Sequence, residues 1–210
     1  MSEHDLNWKY VDESVVESES IAKARQQSLE LGVEPVSPAV AAQLAVIAAA
    51  SDARAIIEVG TGVGVSGLSM LQAARSAHLT SIDAETEYQQ HAREHFADAG
   101  IAPARVRLIA GRAGEVLPRM NEGSYDLVVI DADAASVIEY VEHGLRLAKP
   151  GGSVLVARAL WKGRVADPAR RDDVTAAFRG LVSELAASTA VVTAISPAGD
   201  GLLQIVKLGA

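Results

Sequence analysis

The sequence predicts an α/β fold: a mostly parallel seven-stranded sheet with one antiparallel strand and helices on both faces. Three observations predict it. Five short apolar runs, "RAIIEVG", "HLTSID", "RVRLIAG", "YDLVVIDAD" and "SVLVA", alternate with segments of helical pattern. The first run leads into a glycine-rich turn, and the second and fourth end in acids. Two last runs, "AVVTAIS" and "GLLQIVKL", flank "PAGDG", a hairpin composition that makes one late strand antiparallel.

Taken in order, the polar residues 1–11 read as loosely ordered. The pattern from Glu13 to Leu31 is helical and stops at Gly32, a C-cap residue. "VEPVSP" breaks the chain, and Ser37 and Pro38 suit the N-cap and first position of a helix reaching about Ala50. The first strand follows, then a helix from Val65 to Arg75, the second strand, and a helix over 85–99 closed by Gly100. The third strand precedes a short helix at 113–120. The fourth precedes a helix running to about Ala148. The fifth strand comes after a Pro-Gly-Gly turn and before a helix at 169–187. The chain of 210 residues thus reads as one domain, with an N-terminal helical segment at 1–53 and a core at 54–210.

Composition narrows the function. A net charge of −8 gives no support to nucleic-acid binding, although Arg164, Arg170 and Arg171 could form a local basic patch or an exposed helix start. Without cysteine there is no disulfide, thiolate metal site or thiol nucleophile. "MSEHDLNWKY" lacks the features of a secretory signal and "VAAQLAVIAAA" is too short to span a bilayer, so the expectation is a cytoplasmic protein with no membrane partner.

The most informative stretch is "EVGTGVGVSG". Glu58, Gly60, Gly62 and Gly64 form E-x-G-x-G-x-G where strand turns into helix, and glycine lets backbone turn sharply and approach a ligand. The bland alternative is a tight turn with no ligand. Gly62, Gly64 and Gly67 also fit a dinucleotide frame, but it starts three residues beyond Val59. Asp83 ends the second strand, where it could take both ribose hydroxyls of an adenosine or simply cap the chain. Glu58 before the turn would repel a pyrophosphate and suits a cationic ligand with an amino group. S-adenosylmethionine is such a ligand.

These residues carry a resemblance. The chain resembles the class I S-adenosylmethionine-dependent methyltransferases, and within them the bacterial branch of the catechol and caffeoyl-CoA O-methyltransferase family. The likeness runs from "ARQQSLELGVEPVSPAV" to "GDGLLQIVK" and rests on "EVGTGVGVSGL", "SID", "GRAGEVLP", "YDLVVIDAD", "KPGG", "LWKGRVADP" and "GDG". It implies a Rossmann-like fold, an S-adenosylmethionine cofactor, a small-molecule acceptor and a homodimer. By motif, Val36 would close over the methionine part by a backbone contact. Glu58, Gly60, Thr61 and Ser66 would be the methionine-side contacts. Asp83 would hold the ribose, with Ala84 near adenine and Ala113 at the adenine edge. Asp131 and Asp133 would lie next to the transferred methyl.

The family's cation site does not carry over. Members bind a divalent metal through the first acid of "DAD" and an Asp-Asn pair ending the fifth strand. Here Asp131 remains, but the pair's positions hold Ala157 and Arg158, and the lysine usual after "DAD" is Ala134. No metal is therefore expected, though Asp131 and Asp133 leave a weak magnesium site open. Arg158 has three readings. It can stand in for the metal as a fixed positive charge facing an acceptor oxygen, with Asp131 or Asp133 taking the proton. It can pair with Asp131 structurally, or it can point to solvent.

The leading function is an O-methyltransferase for a small hydroxylated acceptor, phenolic acceptors included. The rivals are a cofactor-binding homologue acting as a sensor or partner subunit, and an NAD-dependent oxidoreductase. Trp161, after the fifth strand, is expected to wall the substrate site, while Trp8 could be core or substrate-facing. Met70 and Met120 read as packing, and His91 and His95 as a solvated helix face, since no third metal ligand accompanies them.

Overall fold

The computed structural model describes residues 3–209. Seven strands form one sheet in the order β3-β2-β1-β4-β5-β7-β6. They are β1 Ala55–Val59, β2 His78–Asp83, β3 Val106–Ala110, β4 Tyr125–Ile130, β5 Ala148–Ala157, β6 Val191–Ser196 and β7 Leu202–Lys207. Neighbours from β3 through β5 are parallel, and β7 runs antiparallel to both β5 and β6. Strand order reverses between β1 and β4, which opens a crevice at the C-terminal ends of those strands.

The apolar runs are continuous because both sheet faces are buried. Successive side chains of a strand point to opposite faces. Ile56, Leu127, Val129 and Leu155 accordingly enter one core, shared with Ile21, Leu44, Leu68 and Phe96. Ile57, Val128, Ile130, Val154 and Val156 enter the other, shared with Val141, Phe178 and Leu181. The first core is covered by α2 Glu19–Glu30, α3 Pro38–Ala50, α4 Val65–Ala73 and α5 Thr86–Asp98. The second is covered by α7 Val137–Leu147 and α8 Asp173–Ala187, with the single-turn α6 Ala113–Val116 beside them. No described helix is long and apolar enough to cross a membrane.

The N-terminal segment differs from the sequence reading. Residues 3–11 are not loose: they belong to a helix, α1 Glu3–Glu13, and residues 1–2 lie outside the described chain. The Asp12 carboxylate at the end of α1 accepts the Ala39 N–H at 3.0 Å, tying it to α3. The single helix expected from Glu13 to Leu31 is instead a break followed by α2, because Ser18 takes an extended conformation and caps the Ile21 N–H. Ser37 and Pro38 begin α3 as expected. At the other end, α8 starts at Asp173 rather than 169, since Asp172 caps it by accepting the Thr175 N–H and hydroxyl. Arg170 and Arg171 therefore sit in the exposed turn before the helix, and Arg164 is paired with Asp172 at 2.7 Å. Below them, the Arg179 guanidinium donates to the carbonyls of Arg164, Val165, Asp167 and Arg170, which fixes this loop.

Candidate active site

The turn between β1 and α4 is built on backbone that only glycine adopts cheaply. Gly60 has φ +96°, and a Cβ there would lie 2.0 Å from the Asp131 carbonyl oxygen. The close approach brings the ends of β1 and β4 together, with the Asp131 N–H on the Val59 carbonyl at 2.8 Å. Asp83 staples the same turn. Its two oxygens accept the Gly62 N–H and the Glu85 N–H, each at 2.9 Å. The capping role is thus present. Each carboxylate oxygen can accept a further bond, so capping does not use Asp83 up. One loop N–H that a pyrophosphate would need is already spent on this acid.

Glu58 is sealed in the core, fully buried, and does not line the cavity. Its carboxylate accepts the Ser66 hydroxyl at 2.5 Å and the Ser81 hydroxyl at 2.6 Å. Glu58 thus does not reach the cavity directly, as the sequence suggested it would; Ser66, which does line the cavity, stands between them. Burial pushes the Glu58 carboxyl up to about 7. The serine hydrogen bonds oppose that rise, and the nearby charges of Asp131 and Asp83 add to it.

Two cavities meet over the crevice. One, of about 360 Å³, lies under the strap 33–36 and is lined by Val36, Thr61, Ser66, Tyr88, Trp161 and Lys162 among others. The other, of about 560 Å³, is lined by Ala84, Ala113, Asp133, Glu139 and Tyr140 among others. Gly60, Asp83, Asp131 and Ala132 are common to both. Together they form an elongated groove of ligand size, in which Ala84 and Ala113 sit at the end that also carries Arg112, Glu115 and Glu139. Val36 is buried in its wall, and its carbonyl accepts from Arg25 at 2.5 Å, while Arg25 is held by Glu17.

Arg158 does not point to solvent. Its Nε donates to Asp131 Oδ1 at 2.7 Å and its Nη2 to the Glu34 carbonyl at 2.6 Å, with Nη1 3.4 Å from the Glu34 carboxylate. Burial opposes its charge, yet Asp131, Glu34 and Asp200 hold its pKa above the ordinary value. The residue has φ +57°, and Trp161 and Lys162 are left-handed as well. The "GDG" loop holds this unusual backbone. Asp200 accepts the Leu160 N–H with its carbonyl and the Lys162 N–H with its carboxylate, and a Cβ on Gly201 would stand 2.6 Å from Leu160 Cγ.

Asp133 is turned away from the first cavity. It caps the following turn, accepting the Ala135 N–H and the Ser136 hydroxyl. β4 ends at Ile130, so the strand alternation that would have aligned Asp131 with Asp133 no longer applies. Ala157 offers no ligand, and among the described residues no group of three or more His, Asp or Glu could hold a metal. The donor set does not fit a divalent cation. Trp161 lines the groove and also stacks on Phe178 with centroids 6.0 Å apart, whereas Trp8 is exposed on α1. Met70 is buried and Met120 packs on the second core, as expected. His91 and His95 are not a solvated face: the Gln27 amide on α2 bridges them, at 3.0 and 2.5 Å. The sequence reading missed Glu34, Gln89 and Lys162; of these, Glu34 and Lys162 lay in stretches already singled out, "VEPVSP" and "LWKGRVADP".

A family model described as O-methyltransferase matches residues 11–208. A probable O-methyltransferase of Mycobacterium tuberculosis is 44% identical over 201 residues, covering 95% of this chain and 90% of the relative. Among solved structures, a Corynebacterium glutamicum protein is similar with a TM-score of 0.90 and 28% identity, over 100% of this chain and 99% of that one. The O-methyltransferase TomG of Streptomyces achromogenes, involved in tomaymycin synthesis and solved in complex with SAM, is similar with a TM-score of 0.86 and 27% identity over the full length of both chains.

Proposed function

We propose, from the premise that this chain belongs to the O-methyltransferase family, that it methylates a hydroxyl of a small acceptor without the help of a divalent cation. The methyl donor is S-adenosylmethionine, which supplies an electrophilic methyl group on a sulfonium. The groove fits that donor set. Asp83 presents acceptors for ribose hydroxyls, Ala84 and Ala113 offer an apolar face for adenine, and Thr61 and Ser66 present hydroxyls near a buried acid.

The Arg158–Asp131 pair at the mouth of the groove carries the cation-independent reading. The guanidinium occupies the place of the missing ligand pair and engages the remaining carboxylate, so a cation would face one shared acid and a fixed positive charge. Arg158 keeps N–H groups beyond those given to Asp131 and Glu34, and these can stabilise an acceptor oxyanion. Asp131 takes the acceptor proton, directly or through water. Trp161 walls the acceptor side and helps exclude water. The test is an acceptor screen run with chelator and with added magnesium. Turnover should be the same in both, and magnesium-dependent turnover, or a divalent ion bound at Asp131, overturns the reading. Cofactor binding with no turnover on a broad phenol and alcohol panel favours the sensor or partner role instead.

The chain acts as one domain, with an N-terminal helical segment at 1–53 and a core at 54–210, in the cytoplasm and as a homodimer. The pairing is supported by apolar side chains left exposed on and beside α1–α3: Leu6, Trp8, Tyr10, Val11, Val16 and Val46. A monomer mass by light scattering at micromolar concentration overturns it.

A further inference from the structure

We infer that Glu58 positions the ammonium end of the cofactor without touching it, by fixing the Ser66 hydroxyl as a hydrogen-bond acceptor toward the groove. This rests on the cofactor reading above. A hydroxyl has one proton to give. Ser66 gives its proton to Glu58 Oε1 and Ser81 gives its own to Oε2. Ser81 must then accept at its 2.7 Å contact with Thr61 Oγ1, whose oxygen receives an N–H of Gln89 at 3.3 Å. While Glu58 is ionised, the chain has one direction, from Gln89 through Thr61 and Ser81 to the carboxylate. Ser66 ends the other branch on the groove wall, with only lone pairs left to offer. An alkylammonium is a donor with no acceptor, so the match is complementary.

A protonated Glu58 carries a donor of its own, and one serine must reverse. If Ser81 reverses, its hydrogen meets that of Thr61, and Thr61 cannot turn to Gln89, which is also a donor there. Either Ser66 turns, or Ser81 turns and Thr61, which also lines the groove, swings its hydrogen away from Ser81; in both cases a hydrogen enters the groove, where it opposes a cation. The charged groups facing Glu58 are Asp131 beyond β4 and Asp83 ending β2. Both favour the protonated form, and the Asp131 charge is met by Arg158. Burial places the change of state near neutrality. Binding of the cofactor's ammonium then expels the Glu58 proton to solvent.

The test is calorimetry of S-adenosylhomocysteine binding from pH 6 to pH 8, in buffers of different ionisation enthalpy, with 5′-methylthioadenosine, which lacks the amino-acid portion, as the control ligand. Wild type should bind about tenfold more weakly at pH 6 than at pH 8, as the competent fraction falls. It should also release a proton on binding near pH 6.5, and the control ligand should show neither effect. Glu58→Gln and Ser66→Ala should bind more weakly at pH 8 and lose the pH dependence. The wild-type proton count needs no variant, and Ser66→Ala keeps the buried acid should Glu58→Gln fail to fold. Binding by wild type with no pH dependence and no proton release overturns the inference and leaves the cofactor reading standing. The inference also falls if Glu58→Gln keeps the wild-type pH profile. No binding of either ligand at any pH overturns the cofactor reading itself.

Discussion

Replacing Gly60 by alanine tests the construction of the groove floor. Two costs arise in the folded state. An L-residue held at φ +96° pays about 1–2 kcal/mol for the left-handed backbone. The new Cβ also falls 2.0 Å from the Asp131 carbonyl oxygen, which is backbone and cannot rotate away. The ends of β1 and β4 must separate, and overpacking of this kind costs about 1–3 kcal/mol. The sum is about 2–5 kcal/mol, or roughly 4–20 °C in melting temperature for a chain of this size. Gly180 in α8 is the control, because a Cβ there meets nothing within 4 Å and its φ is not left-handed. Gly180→Ala should leave stability unchanged or raise it by up to about 1 kcal/mol. Thermal and urea denaturation followed by far-UV circular dichroism measure both. A Gly60→Ala protein melting with wild type, or a Gly180→Ala protein as damaged as Gly60→Ala, would refute this account of the turn.

Three further outcomes follow from the same geometry. Arg158→Ala should keep S-adenosylhomocysteine affinity within a few-fold of wild type and slow methyl transfer on the order of 100-fold. Normal turnover with a lowered melting temperature would make the arginine a structural pair alone. Because the folded Glu58 carboxyl stands near 7, above its unfolded value of 4.5, its contribution to stability is fully present below pH 4.5 and is lost as pH rises through 7. Wild type should thus lose stability between pH 5 and pH 8 relative to Glu58→Gln, and parallel melting curves across that range would contradict the assignment. His95 should titrate below the ordinary imidazole range, chiefly from burial against α2. Gln27→Ala opens that contact to water and should move the titration upward in an NMR series, where an unchanged midpoint would count against it.

The sequence by itself determined the sheet and its two cores, because those signals are local. Alternation along "RAIIEV" and "YDLVVI" assigns each residue to a face, and the Ser37-Pro38 pair starts a helix with information held in neighbouring residues. The glycines of the first turn were legible for the same reason, as was Asp83 at a strand end. The break before Ser18 was missed, since a serine inside a helical pattern carries no periodic signal of its own capping. Only the tertiary structure decided the rest. Glu34 meets Arg158 across 124 positions, and Gln27 reaches His95 across 68. Glu58, polar in an apolar run, could be placed near a ligand by motif. Its enclosure behind Ser66 depends on how β1, β2 and α4 pack together. Such contacts leave no local trace: they arise from the distances between elements, which periodicity and capping do not encode.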